Sequence, residues 1–367
     1  MAAVVAFMAV ARLVQLNRHA EAFALHQKRV IPGVPDRLYD HENILLDVST
    51  RRYGVASRAR LERARTDPAW ATPAYRSLII EGLLMAGGPT QGLADAVLES
   101  CTTFPEHTGL RALMISILGE MDRLDLMAPL NLDERQVLRP AALRNLPLAR
   151  HLVRQGRDEP DLAARAALLE EFERGREQLL AILGDPAVRV AVVGNSPVEL
   201  GRGQGAVIDG HDVVLRFNDF DVRPPFDADY GRRTDIVCQT YPIGERMDGR
   251  TGLDDALWLQ RHAFNLFNPR DWSPVLAMHA RGRRFAYLPR EAFLAAAREI
   301  EATPSAGFCI AHYMKGLRGR ISRENFFGFS FVDQLEPGPA AHYFDGQPAA
   351  RIHDWRREAL AFEQLFV

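Results

Sequence analysis

The first half of the chain has the hydrophobic spacing of amphipathic helices. Apolar residues recur there at three- and four-residue intervals with charged residues between them, and Pro or Gly marks the joints. The predicted helices cover residues 75–85, 91–98, 109–121 and 162–183. Alanine-rich pairs could stack as an irregular helical repeat, although no fixed period is present. We therefore predict an all-helical domain over residues 1–180, either a scaffold for the second half or an acceptor-binding surface.

The second half changes to short apolar runs. The run at 188–193 is broken only by Arg189 and stops at Gly194, and a second run at 212–217 ends at Asn218. Such runs are typical of strands buried on both faces. Strands that alternate with helices predict a parallel sheet. Residues 181–367 are therefore predicted to form an α/β domain with a Rossmann-like parallel sheet.

Both predicted strands lead into an asparagine. Asn195 follows Gly194, a residue without a Cβ that lets backbone amides approach a phosphate or ribose closely, and Asn218 follows the second strand. Ligands of open α/β sheets gather at the carboxyl ends of the strands. A carboxamide can contact a ribose or a base without adding charge. The pattern favours a nucleotide site, with two ordinary turns as the alternative.

A glycine-rich stretch follows the first strand. Gly201, Gly203 and Gly205 lie several residues past it and lack the Gly-x-Gly-x-x-Gly order of a dinucleotide-binding fingerprint. The missing fingerprint weighs against a nucleotide-dependent oxidoreductase, which stays open as an alternative class.

Composition narrows the class further. The chain has 367 residues, 47% of them hydrophobic, and a net charge of -2, which suits a globular protein of two domains. All but two of the 45 basic residues are arginine, which favours a GC-rich, bacterial genome. Acidic residues balance them, so no nucleic-acid partner is expected. Three widely spaced cysteines indicate reduced thiols in the cytosol.

No apolar run reaches the ~20 residues that a membrane-spanning helix needs. The best candidate, residues 1–16, is interrupted by Arg12 and lacks the basic start of a signal peptide. We interpret it as the first helix of the fold. An interfacial helix is the alternative, and it would place a cytoplasmic protein peripherally at the inner membrane.

The order of several motifs resembles the sialyltransferases of the eukaryotic type, glycosyltransferase family 29. Residues 190–196, 208–218 and 231–234 resemble the long motif of that family. Pro-Ser-Ala-Gly at 304–307, with Gly328 at the far end, resembles the short motif, and His-Tyr-Phe-Asp at 342–345 resembles the third. His353 and Glu358 reproduce the His-x4-Glu motif. Four motifs in the family's order, over about the last half of the chain, make coincidence improbable.

The resemblance implies a glycosyltransferase fold of the A type and a donor sugar activated by CMP. The implied donor nucleotide site consists of Asn195, Ser196, Asn218, Ser305, Ala306, Gly307 and Gly328. Glu358 and Tyr343 would support this site. The acceptor would be a glycan or glycolipid.

Two histidines suit the chemistry of an inverting transfer. A base must take a proton from the attacking hydroxyl, and a donor must stabilise charge on the departing phosphate. Histidine can do either, since its unperturbed pKa is about 6.5. His353 is the candidate base, because apolar spacing after it predicts a C-terminal helix whose N-terminus keeps the imidazole neutral. By resemblance, His342 would lie at the leaving phosphate.

The chain also departs from the family pattern. Val190 stands where the family has a cysteine, and no cysteine lies near Arg318, where its partner is expected, so the linking disulfide is predicted to be absent. Ala306 replaces a threonine, and the spacing to Gly328 is a few residues longer than usual.

Metal binding is not expected. The chain has no His-Glu-x-x-His or Cys-x-x-Cys spacing. The acidic residues of 219–229 resemble only superficially the Asp-x-Asp that holds a cation in other glycosyltransferases. The resemblance implies a reaction without metal or cofactor.

The sequence thus favours a bacterial, cytoplasmic glycosyltransferase of polysaccharide biosynthesis that uses a CMP-activated acidic sugar. Sialic acid is the favoured sugar, and Kdo is the alternative. A helical adaptor with a degenerate transferase half is the second alternative class, since Ala306 removes a hydroxyl that the family pattern has.

Overall fold

The computed structural model describes residues 43–48, 54–157, 159–241, 243, 253–330, 342–345 and 353–366. The helix predicted at 1–16 lies outside these residues. Between residues 55 and 184 the α-helices are α1 Val55–Thr66, α2 Pro73–Gly87, α3 Gln91–Thr103, α4 Thr108–Glu120, α5 Arg139–Ala142, α6 Leu146–Arg154 and α7 Pro160–Gly184. The strands are β1 Val190–Val193, β2 Val213–Phe217, β3 Ile236–Gln239, β4 Leu257–Gln260, β5 Arg284–Tyr287 and β6 Phe326–Phe327. Among and after them lie α8 Gly205–Asp209, α9 Asp227–Tyr230, α10 Ala263–Phe267, α11 Ser273–Ala280, α12 Arg290–Ile300, α13 Ala306–Arg318 and α14 Trp355–Gln364.

The helices of the first half begin at polar caps that the sequence supplies. Thr90 accepts a hydrogen bond from the backbone of Leu93 at 3.2 Å and starts α3. Asn145 accepts one from Leu148 at 2.9 Å and starts α6. These side chains satisfy amide groups that have no partner inside the helix. The four predicted helices are confirmed, with ends that differ from the predicted ones by up to five residues.

The chain divides into two compact units. The first comprises Met1–Asn131 with Glu301–Thr303, and all its described longer elements are helices. The second comprises Leu132–Ile300 with Pro304–Val367 and contains the sheet. The domain boundary at residue 180 stays a prediction; helices α5 to α7 lie within the second unit.

The second unit is built on one six-stranded sheet, and every strand pairing is parallel, as the strand pattern predicted. The strand order is β5-β4-β3-β2-β1-β6. The chain therefore moves outward from β1 to β5 on one side and returns to place β6 on the other side. This reversal beside β1 is a topological switch point, where open α/β sheets bind ligands.

Helix α7 packs closely on the edge strand β5. Gly175 allows this approach, because a Cβ at that position would lie 1.8 Å from the carbonyl oxygen of Phe285. Phe172 and Phe285 pack with ring centroids 5.3 Å apart within a buried apolar cluster that also holds Trp258 and Trp272. A second buried apolar cluster includes Val193, so β1 also packs against this cluster.

Two further features concern the described residues alone. No helix among them is long and apolar enough to cross a membrane. The three cysteines, Cys101, Cys238 and Cys309, are free and buried.

Candidate active site

The two predicted asparagines lie together at the carboxyl edge of the sheet. β1 and β2 pair with Val193 opposite Arg216, so Asn195 and Asn218 stand at corresponding positions beyond the strands. The Asn195 side-chain amide donates to the carbonyl of Phe217 at 3.0 Å and to that of Asp219 at 2.9 Å. Asn195 therefore ties the ends of the two strands together.

Asn218 occupies a strained turn beyond β2. Its φ is 51°, in the left-handed region that asparagine tolerates better than most residues. Its Oδ1 accepts from the backbone of Thr240 at 2.9 Å, and its own N–H donates to Cys238 at 2.9 Å. These bonds hold the Asn218 side chain at the edge between β2 and β3.

β1 and β6 approach each other closely just beyond their ends. Gly194 donates to Phe327 at 2.8 Å, and a Cβ on Gly194 would lie 2.4 Å from the carbonyl oxygen of Gly328. Gly328 has a φ of 70°, and its own Cβ would meet Gly194 at the same distance. Both glycines are thus required by the backbone geometry at the switch point, a role that the motifs did not reveal.

Ser196 follows at this switch point. It is 8% exposed, and its Oγ is buried without a hydrogen-bond partner among the described residues. Its backbone N–H donates to Gly328 at 3.0 Å, and its carbonyl accepts from the Tyr230 hydroxyl at 2.6 Å.

The N-terminus of α13 reaches the same edge. Ser305 caps the helix, its Oγ accepting from the Phe308 backbone at 3.2 Å. Gly307 lies against Phe329, which follows β6, and a Cβ there would be 2.2 Å from the ring. Ala306 is buried beside it. A helix N-terminus with a hydroxyl cap is a favourable environment for a phosphate.

Tyr343 fastens the third motif to this edge. Its N–H donates to the carbonyl of Asn195 at 2.9 Å, and its hydroxyl donates to the carbonyl of Asp221 at 2.6 Å. Its ring stacks on Tyr230, with centroids 3.8 Å apart and planes 12° apart. These contacts hold Tyr343 beside the end of β1, and its support of a donor site stays a prediction.

His342 is the residue before this anchor. Its Nδ1 lies 3.1 Å from Asp345 Oδ1, and its ring stacks on Phe344 at 5.3 Å. The side chain is 37% exposed. An imidazole that donates through Nδ1 to a carboxylate keeps Nε2 for a ligand. The position next to Tyr343 brings His342 near the end of β1.

His353 lies just ahead of the C-terminal helix. Asp354 caps α14 by accepting from the Arg357 backbone at 3.0 Å, and His353 is the residue before that cap. Its ring contacts Trp355 edge-on at 5.0 Å. The predicted helix is confirmed, and His353 lies two residues before its first residue, Trp355. Convergence of His353 and His342 on one reacting centre stays a prediction.

Glu358 links α14 to the start of α13. It is fully buried, and its Oε2 accepts from the Ser305 backbone at 2.8 Å. Burial raises the pKa of the Glu358 carboxyl to about 7, although hydrogen bonds from Ser305 and the charge of Arg261 oppose the rise. The contact joins α14 to the start of α13, and a supporting role of Glu358 at a donor site stays a prediction.

Sequence reasoning missed Arg261. This residue follows β4 and is 1% exposed, and its guanidinium donates to the Pro304 carbonyl at 2.8 Å. The available signal was its place two residues after the apolar run 257–259, at the carboxyl end of a strand.

The acidic and glycine-rich loops contact each other. The Asp229 carboxylate accepts from the backbones of Gly201 and Gly203, both at 2.8 Å, and these bonds lower its pKa. Asp227 pairs with Arg232. Among the described residues, no group of three or more His, Cys, Asp or Glu side chains could hold a metal ion.

Comparison with known proteins identifies the family of the chain. The sequence profile of glycosyltransferase family 29 (sialyltransferase) matches residues 165–366, more than half of the chain. The chain therefore belongs to glycosyltransferase family 29 (sialyltransferase).

Solved structures of a mammalian sialyltransferase also resemble the chain. One is 21% identical over 48% of this chain and 65% of its own length, with a TM-score of 0.35. Another, in complex with Gal-beta-1-3GalNAc-ortho-nitrophenol, is 20% identical over 60% of this chain and 81% of its own, with a TM-score of 0.38. The chain thus spans about two thirds of the first structure. No curated protein matches it.

Proposed function

We propose that the protein is an inverting, metal-independent glycosyltransferase that moves an acidic keto sugar from a CMP donor to a glycan hydroxyl. The family match supports the reaction class. Sialic acid is the favoured sugar, and Kdo is the alternative. The sheet would be of glycosyltransferase A type. The protein would be a bacterial enzyme of polysaccharide biosynthesis that works in the cytoplasm, with a peripheral position at the inner membrane as the alternative.

One observation carries the proposal: two carboxamides and a hydroxyl-capped helix start meet at one edge of the parallel sheet. Asn195 and Asn218 stand at corresponding positions beyond β1 and β2. Ser305 and Gly307 begin α13 beside the end of β6. Carboxamides suit the ribose and base of cytidine, and the helix start suits its phosphate.

In the proposed reaction His353 takes the proton from the acceptor hydroxyl as its oxygen attacks the anomeric carbon. The bond from that carbon to the CMP phosphate oxygen breaks with inversion, and its electron pair leaves on the phosphate. His342, oriented by Asp345, donates toward the departing phosphate. His353 directly precedes Asp354, the residue that caps α14.

Calorimetric titration with CMP, CDP and NAD tests the nucleotide site. We expect saturable binding of CMP and no binding of NAD. Binding of NAD alone would favour an oxidoreductase, and the absence of any binding would favour a helical adaptor with a degenerate transferase half.

The base is tested with His353→Ala. We expect this variant to bind CMP like the wild type and to lose transfer by at least ~100-fold, the usual contribution of general base catalysis. Transfer from CMP-sialic acid and CMP-Kdo is measured in EDTA, because the proposed reaction needs no metal. His151→Ala is the matched control, since His151 lies on α6 and bonds to Gln155. Full transfer by His353→Ala would remove the base assignment.

A further inference from the structure

A single peptide group before α13 is held from both sides by buried charged residues. Its carbonyl oxygen, from Pro304, accepts a hydrogen bond from Arg261 Nη1 at 2.8 Å. Its N–H, from Ser305, donates to Glu358 Oε2 at 2.8 Å. The guanidinium of Arg261 and the carboxyl group of Glu358 therefore together fix the orientation of this peptide group.

The two charged residues come from distant parts of the sequence. Arg261 directly follows β4, and Glu358 lies in the first turn of α14. They are 1% and 0% exposed. Burial of a charged residue is unfavourable unless it is hydrogen-bonded or paired, and each of these contacts provides such compensation.

The guanidinium of Arg261 makes two further contacts, with His262 and Phe293. Its Nη2 donates to His262 Nε2 at 2.5 Å, and its guanidinium lies over the Phe293 ring at 5.7 Å. The planar guanidinium can make both hydrogen bonds at fixed angles, which a lysine ammonium on a flexible chain cannot do equally well. The position of the Pro304 carbonyl is therefore set by a side chain with little freedom of its own.

This peptide determines how α13 begins. Ser305 is the helix cap, and the amides of Ala306 and Gly307 are the first of the helix. Rotation of the preceding peptide would swing the Ser305 hydroxyl and redirect these amides. The first turn is the part of α13 that meets the phosphate in the proposed function.

We propose that Arg261 is a positioning residue for the donor: together with Glu358 it fixes the peptide between Pro304 and Ser305 and thereby aims the start of α13 at the CMP phosphate. This inference rests on the proposed function. Arg261 lies outside all the motif segments 190–196, 208–218, 231–234, 304–307, 342–345 and 353–358.

The test combines CMP titration with amide hydrogen exchange of Arg261→Met. We expect CMP affinity to fall about tenfold, as for one lost hydrogen bond to a charged group, with faster exchange at residues 305–308. In kinetics the KM for the donor rises while the KM for the acceptor stays unchanged. Arg261→Lys keeps the charge and one donor, so it should recover part of the affinity and of the exchange protection.

Arg150→Met is the matched control. Arg150 is also buried and pairs with Glu173, but it lies on α6. It should lower thermal stability without changing CMP affinity or exchange at 305–308. If Arg261→Met also leaves both quantities unchanged, or speeds exchange without weakening CMP, the positioning role is overturned.

Failure of the proposed function is distinguishable from failure of this inference. In the first case the wild type itself does not bind CMP, and the donor role of Arg261 falls with it. In the second the wild type binds CMP and Arg261→Met binds it equally well. If Arg261→Met does not fold, the CMP affinity of Arg261→Lys and its amide exchange at residues 305–308 decide the question.

Discussion

At the scale of single residues, Glu358 combines complete burial with an ionisable group. Its Oε2 accepts from Ser305, whereas its Oε1 is buried without a hydrogen-bond partner among the described residues. Burial disfavours the charged form and raises the pKa of this carboxyl from 4.5 to about 7. Because Arg261 lowers this pKa, its removal should raise the pKa further.

This raised pKa makes stability depend on pH in a defined direction. The folded state holds the Glu358 proton between pH 4.5 and about 7, where the unfolded state has lost it. The contribution of Glu358 to stability is therefore complete below pH 4.5 and falls as the pH rises through 7. Glu358→Gln stays neutral throughout and should gain about 3 kcal/mol relative to the wild type between pH 4.5 and 8.

Urea unfolding of both proteins at several pH values in this range measures the difference. Glu363→Gln is the control, because Glu363 lies exposed on the same helix. The unfolding free energy of Glu363→Gln should change with pH in the same way as that of the wild type. If the unfolding free energy of Glu358→Gln also changes with pH as that of the wild type does, the Glu358 carboxyl has an ordinary pKa and the prediction is wrong.

The residue scale also shows where sequence reasoning stops. Asn195 and Asn218 could be assigned to one edge, because parallel strands end on the same side. The reason for Gly194 and Gly307 could not be found this way, since it depends on the carbonyl of Gly328 and the ring of Phe329. Such contacts join segments more than 20 residues apart and leave no local pattern.

At the scale of elements, Arg318 connects the end of α13 to the segment that enters β1. Its guanidinium donates to the carbonyls of Ile182 at 3.0 Å, Leu183 at 2.6 Å and Val188 at 3.1 Å. Ile182 and Leu183 lie in the last turn of α7, where carbonyls lack partners within the helix. These bonds lie near Val190, where the family resemblance implies a cysteine.

We expect Arg318→Ala to lower the unfolding free energy by about 2 kcal/mol, since it leaves carbonyls without a charged donor. Urea unfolding at neutral pH checks this value. Arg320→Ala is the control, because Arg320 is exposed two residues beyond the helix. An equal, small effect of both substitutions would mean that the three bonds contribute nothing measurable.

Helices were predicted better than strands. The helices at 73–87 and 160–184 follow several turns of apolar periodicity, and the sequence places them within a few residues. β4 has four residues and β6 has two, which is too short for a periodic signal. Their places in the sheet depend on pairings with distant strands.

At the scale of the whole molecule, the strand order gathers the motif segments. β1 lies between β2 and β6, so residues 194–196, 218 and 328–329 meet at one switch point although they span over 130 positions. The sequence predicted a parallel sheet and the order of the motifs, but not the order of the strands. The order of the strands depends on which apolar faces of strands and helices pack against each other in the folded protein.

The division of the chain reflects packing that helical spacing does not encode. α7 has the same amphipathic pattern as α2, yet it packs on β5 and lies in the sheet-containing unit. The pattern identifies an apolar face but not the element that covers it. The predicted boundary at residue 180 marks a change in pattern, whereas the division of the chain into compact units falls after residue 131.

The central claim is that a cytidine monophosphate binds at the carboxyl edge of the sheet, and a crystal structure of the complex with CMP tests it most directly. We predict the base and ribose against the side chains of Asn195 and Asn218 and the phosphate at the start of α13. His342 should lie at that phosphate, with the His353 ring beside the reacting centre. CMP bound elsewhere, or a His353 ring remote from the nucleotide, would contradict the account.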